Sequence, residues 1–183
     1  MHSSSRFLAP GVAALALMLG IARPAHAQFG GSVDGMSVAL STDLPTGTFA
    51  DKAATGFGLT VRQGGSETER WSGRGVFGFD YFTGKNGYHD IQLIAAGFDF
   101  VHRTPGNGFY QFGGLSLSTT RFTQKSGPST LVTQTEQDFG LTGGVGVNYE
   151  TSSVKWFLEF AATTYFTRGD NSAWFPVRVG LRF

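Results

Sequence analysis

The chain has 183 residues, of which 40% are hydrophobic and only 15% charged, with 27 glycines, 18 phenylalanines and no cysteine. A formal net charge of +1 excludes a dedicated nucleic-acid binder, the lack of cysteine excludes disulfide frameworks and thiolate metal sites, and the apolar content excludes a disordered chain. Abundant glycine beside abundant aromatics points to strands and turns rather than to a helical bundle.

Residues 1–27 read as an address. Arg6 precedes an apolar run from Phe7 to Ala22, and Ala25-His26-Ala27 forms an A-x-A exit before Gln28. The run falls short of the ~20 residues of a spanning helix and contains Pro10 and Gly11. The expectation is a signal peptide over 1–27, cut between Ala27 and Gln28, and one domain over 28–183. That domain is near neutral and has no apolar run long enough for a membrane helix. In a membrane it must cross as strands.

Eight stretches alternate with period 2, the mark of strands with two unlike faces. Met36, Val38 and Leu40 alternate with Ser37, Ala39 and Ser41, and Phe57, Leu59 and Val61 with Gly56, Gly58, Thr60 and Arg62. Over 70–82, Trp71, Phe77, Phe79 and Tyr81 oppose Ser72, Arg74, Gly78 and Asp80. Over 90–102, Ile94, Ala96, Phe98 and Phe100 oppose Asp99. Over 109–121, Leu115 and Leu117 are out of phase with Tyr110 and Phe112, which leaves the face open; a bulge is one way to reconcile them. Over 137–150, Phe139, Leu141, Val145, Val147 and Tyr149 oppose Asp138, Gly140, Thr142, Gly144, Gly146, Asn148 and Glu150. Over 154–167, Val154, Trp156, Leu158, Phe160 and Ala162 oppose Lys155, Glu159 and Thr163. In the last stretch Phe175, Val177, Val179, Leu181 and Phe183 oppose Pro176, Arg178, Gly180 and Arg182.

Short turn signals (64–66, 104–108, 151–153) alternate with longer connections (45–54, 83–89, 122–134, 169–173). This is the pattern of an all-β, eight-stranded antiparallel up-and-down transmembrane β-barrel, with short turns at one rim and loops at the other.

The polar face decides which side meets water. It is rich in glycine with isolated charges of both signs, whereas a solvated surface is dense in Lys and Glu. A narrow lumen wants small residues beside a few large ones. Arg62, Arg74, Asp80, Asp99, Asp138, Glu159, Arg178 and Arg182 are therefore expected inside, as salt bridges. Centring the last hairpin on Asp170–Asn171 sets Glu159 opposite Arg182. Centring the preceding turn on Ser152 sets Gly144 and Gly146 opposite Ala161 and Glu159. Aromatic girdles are expected at both membrane interfaces, from Trp71, Tyr149 and Trp156 at the turns and from Tyr81, Phe82, Tyr165, Phe166 and Trp174 at the loops.

Four segments carry a resemblance to small outer-membrane β-barrel proteins of the OmpA/OmpW-like type. Leu44-Pro-Thr-Gly-Thr-Phe-Ala-Asp51 with Gly56-Phe-Gly58 resembles the first hairpin of many such chains, and Phe139-Gly-Leu-Thr-Gly-Gly-Val-Gly146 the glycine-rich sixth strand. Phe157-Leu-Glu-Phe160 resembles the seventh, although Ala161 stands where the family often places Arg; Trp174 to Phe183 resembles the closing strand. The resemblance implies export through the periplasm to the outer membrane of a Gram-negative cell, outer-membrane lipid and lipopolysaccharide as surroundings, and a monomer. It also implies that Phe175, Val177, Val179, Leu181 and the terminal Phe183 are read by the barrel-assembly machinery.

No catalytic set is expected, nor a metal site, a cofactor or a nucleic-acid partner. Beyond Gln28 only His89 and His102 remain, and neither begins the His-x-Ser of lipid A deacylases, which are enzymes on such barrels. Gly113-Gly114 and Gly143-Gly144 lack the following Lys-Ser/Thr of a phosphate loop. The reading is an integral outer-membrane barrel with a structural, surface-interaction or envelope-integrity role. The alternatives are a narrow channel or carrier for a small or apolar solute, and a soluble periplasmic lipid-binding barrel.

Overall fold

A computed structural model describes residues 35–65, 69–125, 130–152, 154–167 and 171–183. The segment read as a signal peptide, with Ala25, Ala27 and Gln28, lies outside them. Eight antiparallel strands form a closed barrel in chain order: β1 (Met36–Thr46), β2 (Ala53–Gly64), β3 (Trp71–Gly84), β4 (Tyr88–Arg103), β5 (Phe109–Lys125), β6 (Leu131–Glu150), β7 (Lys155–Phe166) and β8 (Ser172–Arg182). One short helix, α1 (Phe49–Lys52), lies between β1 and β2. Pairing of β1 with β8 closes the wall, and the Phe183 backbone N–H donates to the Met36 carbonyl at 2.9 Å.

Alternation controls which side chains leave the water. In β2 the inward Gly56, Gly58, Thr60 and Arg62 are buried, while Phe57 and Leu59 are exposed. Around the wall the outward face is apolar, with Leu40 68% and Leu117 69% exposed. A soluble barrel would bury this face, since apolar patches of such extent do not persist in water. The apolar face points out, and the soluble lipid-binding alternative fails on that orientation. Trp71, Tyr149 and Trp156 are exposed at the short-turn rim, with Tyr149 stacked on Trp156 at 4.3 Å. At the other rim Phe166 stacks on Phe139 at 6.3 Å.

The structure corrects the sequence reading in four places. First, β5 has no bulge. It pairs without interruption with β6 from Phe109↔Val147 to Lys125↔Leu131. Tyr110 and Phe112 point inward because Gly146 and Gly144 on β6 leave room for their rings; a Cβ on either glycine would collide with them. Second, Phe82, Tyr165 and Trp174 belong to the lumen and not to the loop-side girdle; each is at most 3% exposed. Trp174 has the parity of the inward Pro176 and Arg178, so its size did not decide its face.

Third, the last hairpin is centred two residues earlier than expected. Glu159 pairs with Arg178, and Arg182 pairs with Lys155. A period of two is unchanged by a shift of partner by four, so the faces survive and only the depth moves. The preceding turn does set Gly144 against Ala161 and Gly146 against Glu159. Fourth, two connections differ in length. The β3–β4 link is a tight turn in which Asn86 and Gly87 take φ of 49° and 94°, and the β5 and β6 strands continue to Lys125 and Leu131.

Candidate functional site

Inward residues from all eight strands converge on one axis. They form two layers. Toward the short turns lies an ionic layer around Glu159, which is fully buried. Arg62 donates through Nη2 to its Oε2, and the Tyr110 hydroxyl donates to Oε1 at 2.8 Å. Arg74 Nη2 stands 3.0 Å from Oε1, and Arg178 Nη1 is 3.7 Å from Oε2. Arg74 also donates through Nε to Asp99 Oδ2 at 3.0 Å. One carboxylate thus faces three guanidinium groups, and Asp99 offsets one of them.

Aromatic faces complete the layer. The Arg62 guanidinium lies 5.2 Å from the Phe157 ring centre, and that of Arg74 lies 4.8 Å from Phe112 and 5.9 Å from Tyr110. A cation on a ring face is stabilised by the ring quadrupole, more so when water is excluded.

Toward the loops the lumen is filled by an apolar plug of Phe49, Ala53, Phe82, Ile91, Leu93, Phe122, Tyr165 and Trp174. Phe49 comes from α1, which folds over the rim. Its ring meets Phe82 edge-on at 5.0 Å and Trp174 at 5.8 Å, while Trp174 stacks on Tyr165 at 5.5 Å. Between the layers remains a cavity of about 50 Å³, lined by Thr60, Asp80, Asp99, Ser116, Thr163 and Arg178 among others. That volume suits a water molecule or two and not a solute path.

Of the eight charges expected in the lumen, Arg62, Arg74, Asp99, Glu159 and Arg178 meet in the ionic layer. Asp80 lines the cavity. Asp138 is buried higher up and accepts from Thr120 Oγ1 at 3.3 Å. Arg182 stands at the short-turn rim, away from Glu159. Sequence reasoning misses several members of the lumen, two of them polar. Tyr110 is masked by its apolar neighbours, although it has the parity of the inward Gly114 and Ser116. Asp43 lies on β1, where its parity with Ser37, Ala39 and Ser41 marks it as inward.

The histidines take part in rim contacts. His102 accepts from Arg70 Nε at 3.1 Å and packs on Trp71 at 4.4 Å; the exposed His89 is 3.5 Å from Asp90. Among the described residues no three His, Cys, Asp or Glu side chains stand together as metal ligands would.

On the loop side β5 and β6 extend past the end of β7, with β4 beside β5 as far as Tyr88↔Gln124. Pairing of β6 with β7 ends at Phe139↔Phe166, while pairing with β5 continues to Leu131. Among the described residues, no strand pairs with the outer edge of β6 from Leu131 to Asp138.

No protein-family model and no curated protein matches the sequence. Solved structures do match in fold. Ail of Yersinia pestis, the attachment invasion locus protein, solved with the heparin analogue sucrose octasulfate, aligns at a TM-score of 0.60 and 15% identity, covering 84% of this chain and 99% of that one. The N-terminal β-barrel domain of Pseudomonas aeruginosa OprF aligns at 0.55 and 13%, covering 82% and 98%. A major outer membrane protein from Thermus thermophilus aligns at 0.55 and 11%, covering 83% and 100%. With its apolar belt turned outward and its charges turned inward, the chain is an eight-stranded β-barrel of the bacterial outer-membrane type, and the outer membrane is its place.

Proposed function

We propose that this barrel serves as a sealed outer-membrane anchor that presents the β5–β6 hairpin for contact at the cell surface. The observation that carries this reading is the unpaired edge of β6 from Leu131 to Asp138, among the described residues. A free strand edge offers its N–H and C=O groups to an extended segment of another protein. The filled lumen favours this role over that of a channel or carrier, because an eight-stranded interior is occupied by side chains. Exposed Arg121 and Lys125 on β5 suit the anionic headgroups of lipopolysaccharide. The closing strand, with Phe183 at its end, acts in assembly before β8 reaches β1.

The test is adherence of bacteria displaying the protein to epithelial monolayers. Thr133→Lys with Thr135→Lys should reduce adherence to that of cells without the protein, since edge lysines oppose strand addition. The heat-modifiable barrel should persist in that variant. Undiminished adherence would overturn the reading, as would reproducible conductance steps from the wild type in planar bilayers.

A further inference from the structure

The ionic layer leaves a second charged group in the lumen unexplained. Asp43 on β1 and Asp80 on β3 point inward on either side of β2. Register brings them together. Ser41 pairs with Gly58 and Gly58 with Asp80, while Asp43 pairs with Gly56, one inward position further along. Asp80 Oδ1, Ser41 Oγ and Asp43 Oδ2 all lie within 3.0 Å of where a Cβ on Gly58 would stand. The missing side chain is what lets three oxygens converge.

Asp43 is fully buried, and neither of its carboxyl oxygens meets a hydrogen-bond donor. Ser41 is 8% exposed, and its Oγ is likewise without a partner. The Asp43 and Asp80 carboxyls are within hydrogen-bonding reach of one another. Two ionised carboxylates offer only acceptors, and like charges this close do not both persist away from water.

The charges around the pair show what it lacks. Arg178 on β8 is the cation that acts on both aspartates. Arg62 on β2 and Arg74 on β3 are engaged by Glu159 on β7 and Asp99 on β4. Tyr165 on β7 and Ser116 on β5, bonded to each other at 2.9 Å, and Thr142 on β6 line the same cavity without charge. Arg178 offsets one carboxylate, so one negative charge remains. A metal cation would stand against that guanidinium with three protein oxygens, where calcium takes about six to eight. A proton needs neither space nor further ligands, and it supplies the missing donor.

We propose that Asp43 and Asp80 hold one proton between them at neutral pH, as a hydrogen-bonded acid pair beneath the aromatic plug. Asp43 sits in register with Gly56, over which the Phe82 ring lies. Loss of the proton places two anions under Phe82 and loosens the plug. The pair is then a pH-sensitive latch on the closed lumen, independent of what the hairpin binds.

Linkage sets the sign. A proton held by the folded chain and released by the unfolded one makes stability fall as pH rises, by about tenfold in the folding equilibrium per pH unit for one proton. The experiment uses the full barrel refolded in phosphatidylcholine vesicles, with urea unfolding followed from mildly acidic to alkaline pH. Wild type should lose stability with a one-proton slope. Asp80→Asn, which imitates the protonated acid, should fold and remove that slope, and Asp43→Asn should do the same. In infrared spectra the wild type should show a protonated-carboxyl band that Asp80→Asn lacks. An unaltered slope in Asp80→Asn, or no such band in the wild type at neutral pH, would overturn the proposal. So would stabilisation by added sodium or calcium at fixed pH and ionic strength. Should Asp43→Asn fail to fold, Asp80→Asn and the infrared band decide.

Discussion

Replacing Glu159 with alanine should be among the most damaging single changes to this barrel. The carboxylate is fully buried and answers Arg62, Arg74 and Arg178, with Tyr110 as a fourth partner. Its loss leaves Asp99 alone beside Arg74, and Arg62 without its carboxylate in a space closed to water. Removing one member of a buried ion pair costs roughly 3–5 kcal/mol, because the orphaned charge has already lost its hydration. Tyr110 also loses its acceptor, and an unsatisfied buried hydroxyl adds about 1–3 kcal/mol. The two costs overlap, since both arise from one deletion, so the expected loss is about 4 kcal/mol. Glu159→Gln keeps an acceptor for Tyr110 and should cost less. Arg178 is the loosest of the three cations on Glu159, at 3.7 Å, but Arg178→Ala should also destabilise, because it takes from Asp43 and Asp80 the cation that acts on both. The assay is urea unfolding in lipid vesicles, followed by tryptophan fluorescence and by the mobility shift on boiling. A Glu159→Ala barrel within about 1 kcal/mol of wild type would refute the reasoning.

Val179→Arg, on the lipid face and 54% exposed, should destabilise by about 2–4 kcal/mol in the same assay if it lies near mid-membrane. Gly144→Ala should cost roughly 1–3 kcal/mol, since its Cβ would stand 2.5 Å from the Phe160 carbonyl oxygen and 2.7 Å from the Phe112 ring. Deleting Phe183 should slow insertion into the outer membrane, read as loss of the heat-modifiable band in pulse-labelled cells. Once folded, that variant should lose only the Phe183–Met36 backbone hydrogen bond, so its urea midpoint should change little.

Glycine placement explains both a success and a failure in reading the lumen. Gly144 and Gly146 are legible as space on the inner face, and their partners Ala161 and Glu159 follow from a short turn. The occupants of that space, Phe112 and Tyr110, come from the other neighbour, β5. An aromatic pair among leucines looks like lipid-facing surface until the glycines across from it are counted. Phe49 is a stronger case. It lies in a connection, outside any alternating stretch, and only the fold of α1 over the rim carries it into the plug.

Alternation determined that the chain runs as eight strands with two unlike faces, and the make-up of the polar face, glycine-rich with isolated charges, turned it inward and set the leucine and phenylalanine face against lipid. Each of these depends on the direction of successive side chains, which the pleat sets within a few residues. Which inward groups meet was decided by closure and by relative depth. Arg62 and Glu159 are 97 residues apart, and Asp43 reaches Asp80 across a strand that contributes only a glycine between them. Shifting a hairpin by two residues preserves every face and changes every partner, so the ionic layer and the acid pair exist only once the eight strands stand in one register around a common axis.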